Sequence, residues 1–210
     1  MIVQIDTFDS RAISAVLQGY TEMEILPVRH LVSKITRRSV ALMAEFNPPD
    51  IRKVAAEFKP QDVARTLWAY AALEIKPEPV VVAGMVSALE ERAVNVAGDF
   101  RAREIANTLW AYATLDLQPG AAMASMLEGR AATVVETFNA QGLAVVLWSY
   151  ATLGVKPGAW LLARLEDRAI SLAADFEPQE IKNLLWAYSK LGVKPGMQLV
   201  SGLEMAGRSP

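Results

Sequence analysis

The sequence predicts an all-α protein, a right-handed α-solenoid of tandem two-helix repeats of about 38 residues. Three periodic features carry that expectation. The signature Leu67-Trp68-Ala69-Tyr70 returns as Leu109-Trp110-Ala111-Tyr112, Leu147-Trp148-Ser149-Tyr150 and Leu185-Trp186-Ala187-Tyr188. A phenylalanine stands nine residues before each signature leucine, at Phe58, Phe100, Phe138 and Phe176, in steps of 42, 38 and 38 residues. A proline follows each signature, at Pro77, Pro119, Pro157 and Pro195. Tandem helical pairs bury their apolar faces only against their neighbours, so they stack into one continuous array.

The template reaches back toward the N-terminus. Phe8, Leu17, Tyr20, Ile25 and Pro27 repeat the offsets of Phe58, Leu67, Tyr70, Ile75 and Pro77, with Gln18 in place of the tryptophan. The whole of 1–210 is therefore expected to form a single array, with complete units at 8–45, 58–99, 100–137 and 138–175. A shortened unit at 46–57 is expected to form a short helix, and a partial unit occupies 176–210. The unit from Phe58 is four residues longer than the next two, an insertion between Pro77 and Arg92 that should lengthen a helix or its entry loop without disturbing the stacking.

Each unit reads as a tryptophan-bearing helix followed by a return helix. Phe58-Lys59-Pro60-Gln61-Asp62 and Phe176-Glu177-Pro178-Gln179-Glu180 place proline at the first helical position, where its missing N–H costs nothing, and a carboxylate in the first turn, favourable against the helix dipole. The phenylalanine can pack on the residue five later, Val63, Ile105, Leu143 or Ile181, as a hydrophobic staple. Leu153-Gly154-Val155-Lys156-Pro157-Gly158 and Leu191-Gly192-Val193-Lys194-Pro195-Gly196 mark helix ends, with glycine available for the left-handed cap. The stretch Trp160–Ile170 is amphipathic at helical spacing.

Composition limits the function classes. Hydrophobic residues make up 52% of the chain, the net charge is −2, and there is no cysteine, which removes disulfides and thiolate metal sites. The single His30 cannot build a histidine cluster. No apolar run is long enough to span a membrane. The N-terminal stretch Met1–Asp9 carries two acids and reads as the start of the first unit, with no targeting peptide in this chain. No nucleophile–base pair, phosphate loop or metal-ligand spacing occurs, so no enzyme activity, catalytic residue, metal or cofactor is expected.

The tryptophans are expected in the core between neighbouring repeats, Trp110 and Trp148 among them, because large aromatic side chains dominate core packing. Counting from each phenylalanine, offsets 3, 7, 11 and 14 fall on one stripe of the tryptophan-bearing helix. That stripe reads Gln61, Arg65, Ala69, Ala72; Arg103, Asn107, Ala111, Thr114; Gln141, Val145, Ser149, Thr152; and Gln179, Asn183, Ala187, Lys190. It is small or polar, lacks carboxylates in these four copies, and varies from unit to unit. Earlier copies add Arg11, Lys53, Glu22 and Glu57, so bases outnumber acids on the stripe although 23 acids exceed 21 bases in the chain. The candidate RNA-binding residues are Arg65, Arg103, Asn107, Asn183, Lys190, Gln61, Gln141 and Gln179. The basic ones suit phosphates, and the amides suit either base edges or the ends of neighbouring helices. The recurring Leu89-Glu90-Glu91-Arg92, Leu127-Glu128-Gly129-Arg130 and Leu165-Glu166-Asp167-Arg168 read as a solvated mixed-charge face.

The run from Phe176 to Pro195 resembles the octotricopeptide repeat, a 38-residue helical-pair unit, and Pro157-Gly158-Ala159-Trp160-Leu161 is similar to that family's proline-rich opening. Related arrays occur in RAP-domain and FAST-kinase-like proteins and in a subunit family of the RNA-editing substrate-binding complex. The resemblance implies noncatalytic, sequence-guided binding of single-stranded organellar RNA in a mitochondrion or chloroplast, supporting RNA processing, stability or translation. Partners would then be single-stranded RNA and other proteins of an RNA-processing complex, with self-association through open repeat ends. The alternative is a protein–protein scaffold using the same groove.

Overall fold

The computed structural model describes residues 55–72 and 79–206. These form eight α-helices: α1 (Pro60–Ala72), α2 (Pro79–Asn95), α3 (Ala102–Leu115), α4 (Ala121–Thr133), α5 (Ala140–Leu153), α6 (Ala159–Ser171), α7 (Pro178–Lys190) and α8 (Met197–Ala206). Single 3-10 turns at Ala97–Asp99, Val135–Thr137 and Ala173–Asp175 link each return helix to the next tryptophan-bearing helix. No strand occurs among the described residues. The unit expected at 8–45, most of the shortened unit at 46–57, and Arg11, Glu22, His30 and Lys53 lie outside them. Ala55 and Ala56 are helical, the helix stops at Glu57, and α1 restarts at Pro60. Phe58 and Lys59 therefore break the chain as the proline at helix start requires.

The helix signals act where the sequence puts them. Asp62, Glu104 and Glu180 each accept the backbone N–H three residues earlier, from Lys59, Arg101 and Glu177, at 2.9, 3.0 and 2.9 Å. In α5 the third position is Gly142, and the device reverses: Asn139 Oδ1 accepts the Gly142 N–H at 2.9 Å. Either way an orphan donor of the first turn is satisfied. Phe100 and Phe138 are buried in one core cluster with Ile105 and Leu143, the partners expected of the staple. At the other end Gly154 and Gly192 take φ of 67° and 64°, and Asp116 adopts 55° where its unit has no glycine. The following residues, Leu117, Val155 and Val193, donate back to the carbonyls of Tyr112, Tyr150 and Tyr188, the Schellman closure.

Packing follows two rows. The tryptophan-bearing helices α1, α3, α5 and α7 contact one another in succession, and so do the return helices α2, α4, α6 and α8; the first row is the more closely packed. Between the rows lies one apolar cluster filled by Leu67, Leu109, Leu147, Tyr112, Tyr188, Leu127 and Leu165. The four-residue insertion goes into a helix: α2 has 17 residues against 13 in both α4 and α6. Four residues add about one turn, so the inward face keeps its direction.

The recurring Leu-Glu-x-Arg segments are more than a solvated face, although Glu91, Gly129 and Asp167 are exposed. Leu89, Leu127 and Leu165 are buried. Each arginine Nε donates to the carbonyl of its own unit's leading phenylalanine: Arg92 to Phe58 at 2.7 Å, Arg130 to Phe100 at 2.7 Å and Arg168 to Phe138 at 3.1 Å. Each glutamate reaches forward. Glu90 accepts the Tyr112 hydroxyl at 2.8 Å and the Gly120 N–H at 2.8 Å; Glu166 accepts the Tyr188 hydroxyl at 3.1 Å and the Gly196 N–H at 3.0 Å; Glu128 accepts the Gly158 N–H at 3.0 Å. The glycines belong there because a Cβ at Gly120, Gly158 or Gly196 would strike the carboxylate. These charges read as surface from the sequence because their partners stand 22 to 34 residues away.

Burial, and next the glutamate charge, push the hydroxyls of Tyr112, Tyr150 and Tyr188 well above the ordinary tyrosine value. A group with a raised folded-state pKa stabilises the fold below its unfolded value and loses that contribution as pH rises through the folded one. Stability should therefore hold up to about pH 10 and decline above it, a trend that denaturant titration at successive alkaline pH values would measure. Replacing Tyr112 with Phe removes a hydrogen bond to a charged acceptor and should cost about 1.5–3 kcal/mol, read as a lowered denaturation midpoint.

Candidate nucleic-acid interface

Counted from each phenylalanine, the tryptophan-bearing helices divide into three kinds of face. Offsets 5, 9 and 12 (Ile105, Leu109 and Tyr112 in α3) are buried. Offset 6 and offset 13 meet the next helix of the row: Ala64, Ala106 and Ala144, then Ala71, Ala113 and Ala151, are all buried. In α7 their counterparts Lys182 and Ser189 are exposed, and Leu185 is 41% exposed where Leu67, Leu109 and Leu147 are buried. The end of the row is thus partly polar and partly apolar.

The remaining face is solvent-accessible, and it differs from the expected stripe at one position. Gln61, Arg103, Gln141 and Gln179 at offset 3 are exposed, as are Thr114, Thr152 and Lys190 at offset 14. At offset 7 Arg65 is exposed, while Asn107, Val145 and Asn183 are partly covered. Offset 11 does not belong: Ala111, Ser149 and Ala187 are fully buried. They are small because neighbouring helices approach closely there, and Ser149 settles its hydroxyl on its own helix by donating to the Val145 carbonyl at 2.7 Å. The side chain of Ala69 lies outside the described residues.

Offset 10 takes the vacated place. Trp68, Trp110 and Trp148 are only partly buried and Trp186 is 44% exposed, which corrects the expectation of a fully buried core role. The rings of Trp68 and Trp110 meet at 6.0 Å between centroids with planes tilted by 37°, so the tryptophans do bridge neighbouring units, at the surface rather than beneath it. The accessible stripe is therefore 3, 7, 10, 14, alternating steps of four and three. Smallness at offset 11 in every unit was the available signal; small residues were read there as part of an open surface instead of a helix contact.

Electrostatically this face is cationic. Arg65, Arg103 and Lys190 stand on it, and none of its positions in the four helices is a carboxylate. The acids nearest in sequence are consumed by caps, as with Asp62, Glu104 and Glu180. Of the amides, Gln179 Nε2 donates to Asn183 Oδ1 at 3.1 Å, a pair lying along α7 itself and not a bond to a neighbouring helix. The face thus brings together all eight candidate residues, on four successive helices. A depression of about 370 Å³ lies elsewhere, lined by Lys156, Leu162, Glu166, Asp167 and Val193; its Glu166 is already engaged with Tyr188 and Gly196. Among the described residues no group of His, Cys, Asp or Glu is placed to hold a metal ion, and no helix is long and apolar enough to cross a membrane.

Among the described residues, paired helices with one cationic, aromatic-bearing face define an all-helical protein. The chain belongs to the RNA-editing substrate-binding complex 6 protein family, whose model matches residues 53–196, over two thirds of its length. No curated protein matches it.

The packing role of offset 11 is open to a direct check. Ala111→Leu should wedge α3 from its neighbour and cost about 1–3 kcal/mol, whereas Thr114→Leu on the exposed stripe should change the melting midpoint little.

Proposed function

We propose that this protein is a noncatalytic, sequence-guided binder of single-stranded RNA, acting as one component of an RNA-editing substrate-binding assembly. The observation that carries the reading is the accessible stripe: mostly polar and basic side chains at offsets 3, 7 and 14 on four helices that contact one another in succession, with no carboxylate among them. Single-stranded RNA is commonly read by repeat arrays that present a few side chains per unit to each base. Arg65, Arg103 and Lys190 would meet phosphates, while Asn107, Asn183, Gln61, Gln141 and Gln179 would meet base edges. Membership of an RNA-editing substrate-binding complex family points the same way, and we place the protein in the mitochondrion rather than the chloroplast on that ground.

In this reading the two rows of helices are a right-handed α-solenoid of octotricopeptide-like units, one array over 1–210. The tighter packing of the tryptophan-bearing row supports it, because the more closely packed row of a curved array lies on its inner side. That puts the cationic stripe on the concave surface, where a strand can follow it. Neither chemistry nor a cofactor is assigned to the repeats. A protein-docking role has one observation in its favour, the exposed Leu185 and Trp186 at the end of the row, which suit contact with another protein of the complex or with a second copy.

Binding of short single-stranded RNA at graded salt separates the readings. Each phosphate contact contributes about 0.7 to the slope of log affinity against log salt, so Arg65→Glu with Arg103→Glu should weaken binding to every sequence and flatten that slope by about 1.4. Asn107→Ala should instead relax preference at one position and leave the slope alone. Equal RNA affinity in the double variant and its parent would defeat the assignment, and crosslinking in cells followed by sequencing would name the transcripts.

A further inference from the structure

We propose that the signature tryptophans Trp68, Trp110, Trp148 and Trp186 form a stacking row that takes one nucleobase per unit, with the edge of that base read by the offset-7 asparagine in the units of Trp110 and Trp186. The inference rests on the RNA-binding reading and adds to it the source of affinity and the register. Its starting point is that these rings lie at the margin of the interior, with Trp110 packing against the core while keeping part of its surface accessible. In α3 Leu109 and Tyr112 already occupy the inward positions at 2% and 1% exposure, and the helix contacts on either side are made by alanines. The tryptophans lie instead on the accessible face, and Trp186 leaves 44% of its surface in solvent.

Position on the helix supplies the pairing. Offsets 7 and 10 are three residues apart and so are neighbours on the helix surface: Arg65 beside Trp68, Asn107 beside Trp110, Val145 beside Trp148 and Asn183 beside Trp186. A base stacked on the indole would have its edge toward that neighbour. Stacking accepts every base because each has a π-face, while hydrogen bonding at offset 7 discriminates. The contact of Trp68 with Trp110 at 6.0 Å shows that the rings of adjacent units are close enough to serve consecutive bases from their exposed surfaces. Charge favours a nucleic acid over a peptide, since the same stripe carries Arg65, Arg103 and Lys190 and no acid. Val145 cannot hydrogen-bond a base edge, so any choice of base in the unit of Trp148 rests on Gln141 alone.

The test is titration of the whole chain with oligouridine and, separately, oligoadenosine, following tryptophan fluorescence and affinity at two salt concentrations. Trp160, 63% exposed on α6 with the Arg164 guanidinium 5.6 Å from its ring, lies off the row, and Trp160→Phe removes its background signal. RNA should quench the remaining emission. Trp186→Leu and Trp148→Leu should each lower affinity roughly tenfold without altering the salt slope, and Trp186→Phe should recover part of the loss. If Trp148→Leu does not fold, Trp186 and the parent's quenching still decide the matter. RNA binding by the parent without quenching, or undiminished affinity in folded Trp186→Leu, would overturn the stacking row and leave the RNA reading standing. No RNA binding by the parent at low salt would overturn both, and concentration-dependent self-association blocked by Trp186→Leu would then assign the face to a second copy.

Discussion

The glutamate of each return helix is the group on which the repeat geometry depends. Glu90 and Glu166 each hold the hydroxyl of the next unit's tyrosine and the N–H that opens the next return helix, and Glu128 holds the corresponding N–H of Gly158. A carboxylate that accepts two donors from another unit sets the distance and rotation between units, because charged hydrogen bonds are short and directional. Two residues or so further along the same helix turn, the arginine ties back to the phenylalanine carbonyl of its own unit. Apolar burial alone is non-directional and would permit the helices to slide; the polar lock selects one register.

That register is what turns a set of helices into a surface. With the units locked, side chains at one offset recur at a constant spacing, and the row of tryptophan-bearing helices offers the same four positions from α1 to α7. Alanine and serine at the contact positions bring the helices close together, so the accessible stripe is continuous rather than broken by deep grooves. The locking charges stay out of this face: the glutamates are bound between the rows, and the first-turn carboxylates are occupied by their caps. A nearly neutral molecule thereby presents a cationic face, the separation of sign that a polyanion needs.

Family and geometry meet at this surface. Membership of a family described by an RNA-editing substrate-binding complex accords with a chain whose described helices carry a stripe of amides and bases without acids. Units that differ at offsets 3, 7 and 14 while keeping their leucines, tyrosines and locking glutamates separate a variable exposed surface from the groups that hold the units in place.

The sequence by itself determined the helical pairs, their starts and their ends, because these depend on neighbours within a few residues: Pro60 and Pro178 at helix starts, Gly154 and Gly192 at the ends, Asp62 and Glu104 in first turns; whether the four-residue insertion lengthened a helix or its entry loop was left to the structure. The sequence also located the candidate polar residues, since helical periodicity places offsets 3, 7 and 14 together. Tertiary structure alone decided which side of the helix is open. Whether offset 10 or 11 faces solvent turns on how closely the next helix packs, and one residue is a rotation of only about 100°, so Ala111 went inside and Trp110 came to the surface. It likewise decided the fate of Glu90, Glu128 and Glu166, whose partners lie 22 or 30 residues away in the next unit, beyond the reach of any local pattern.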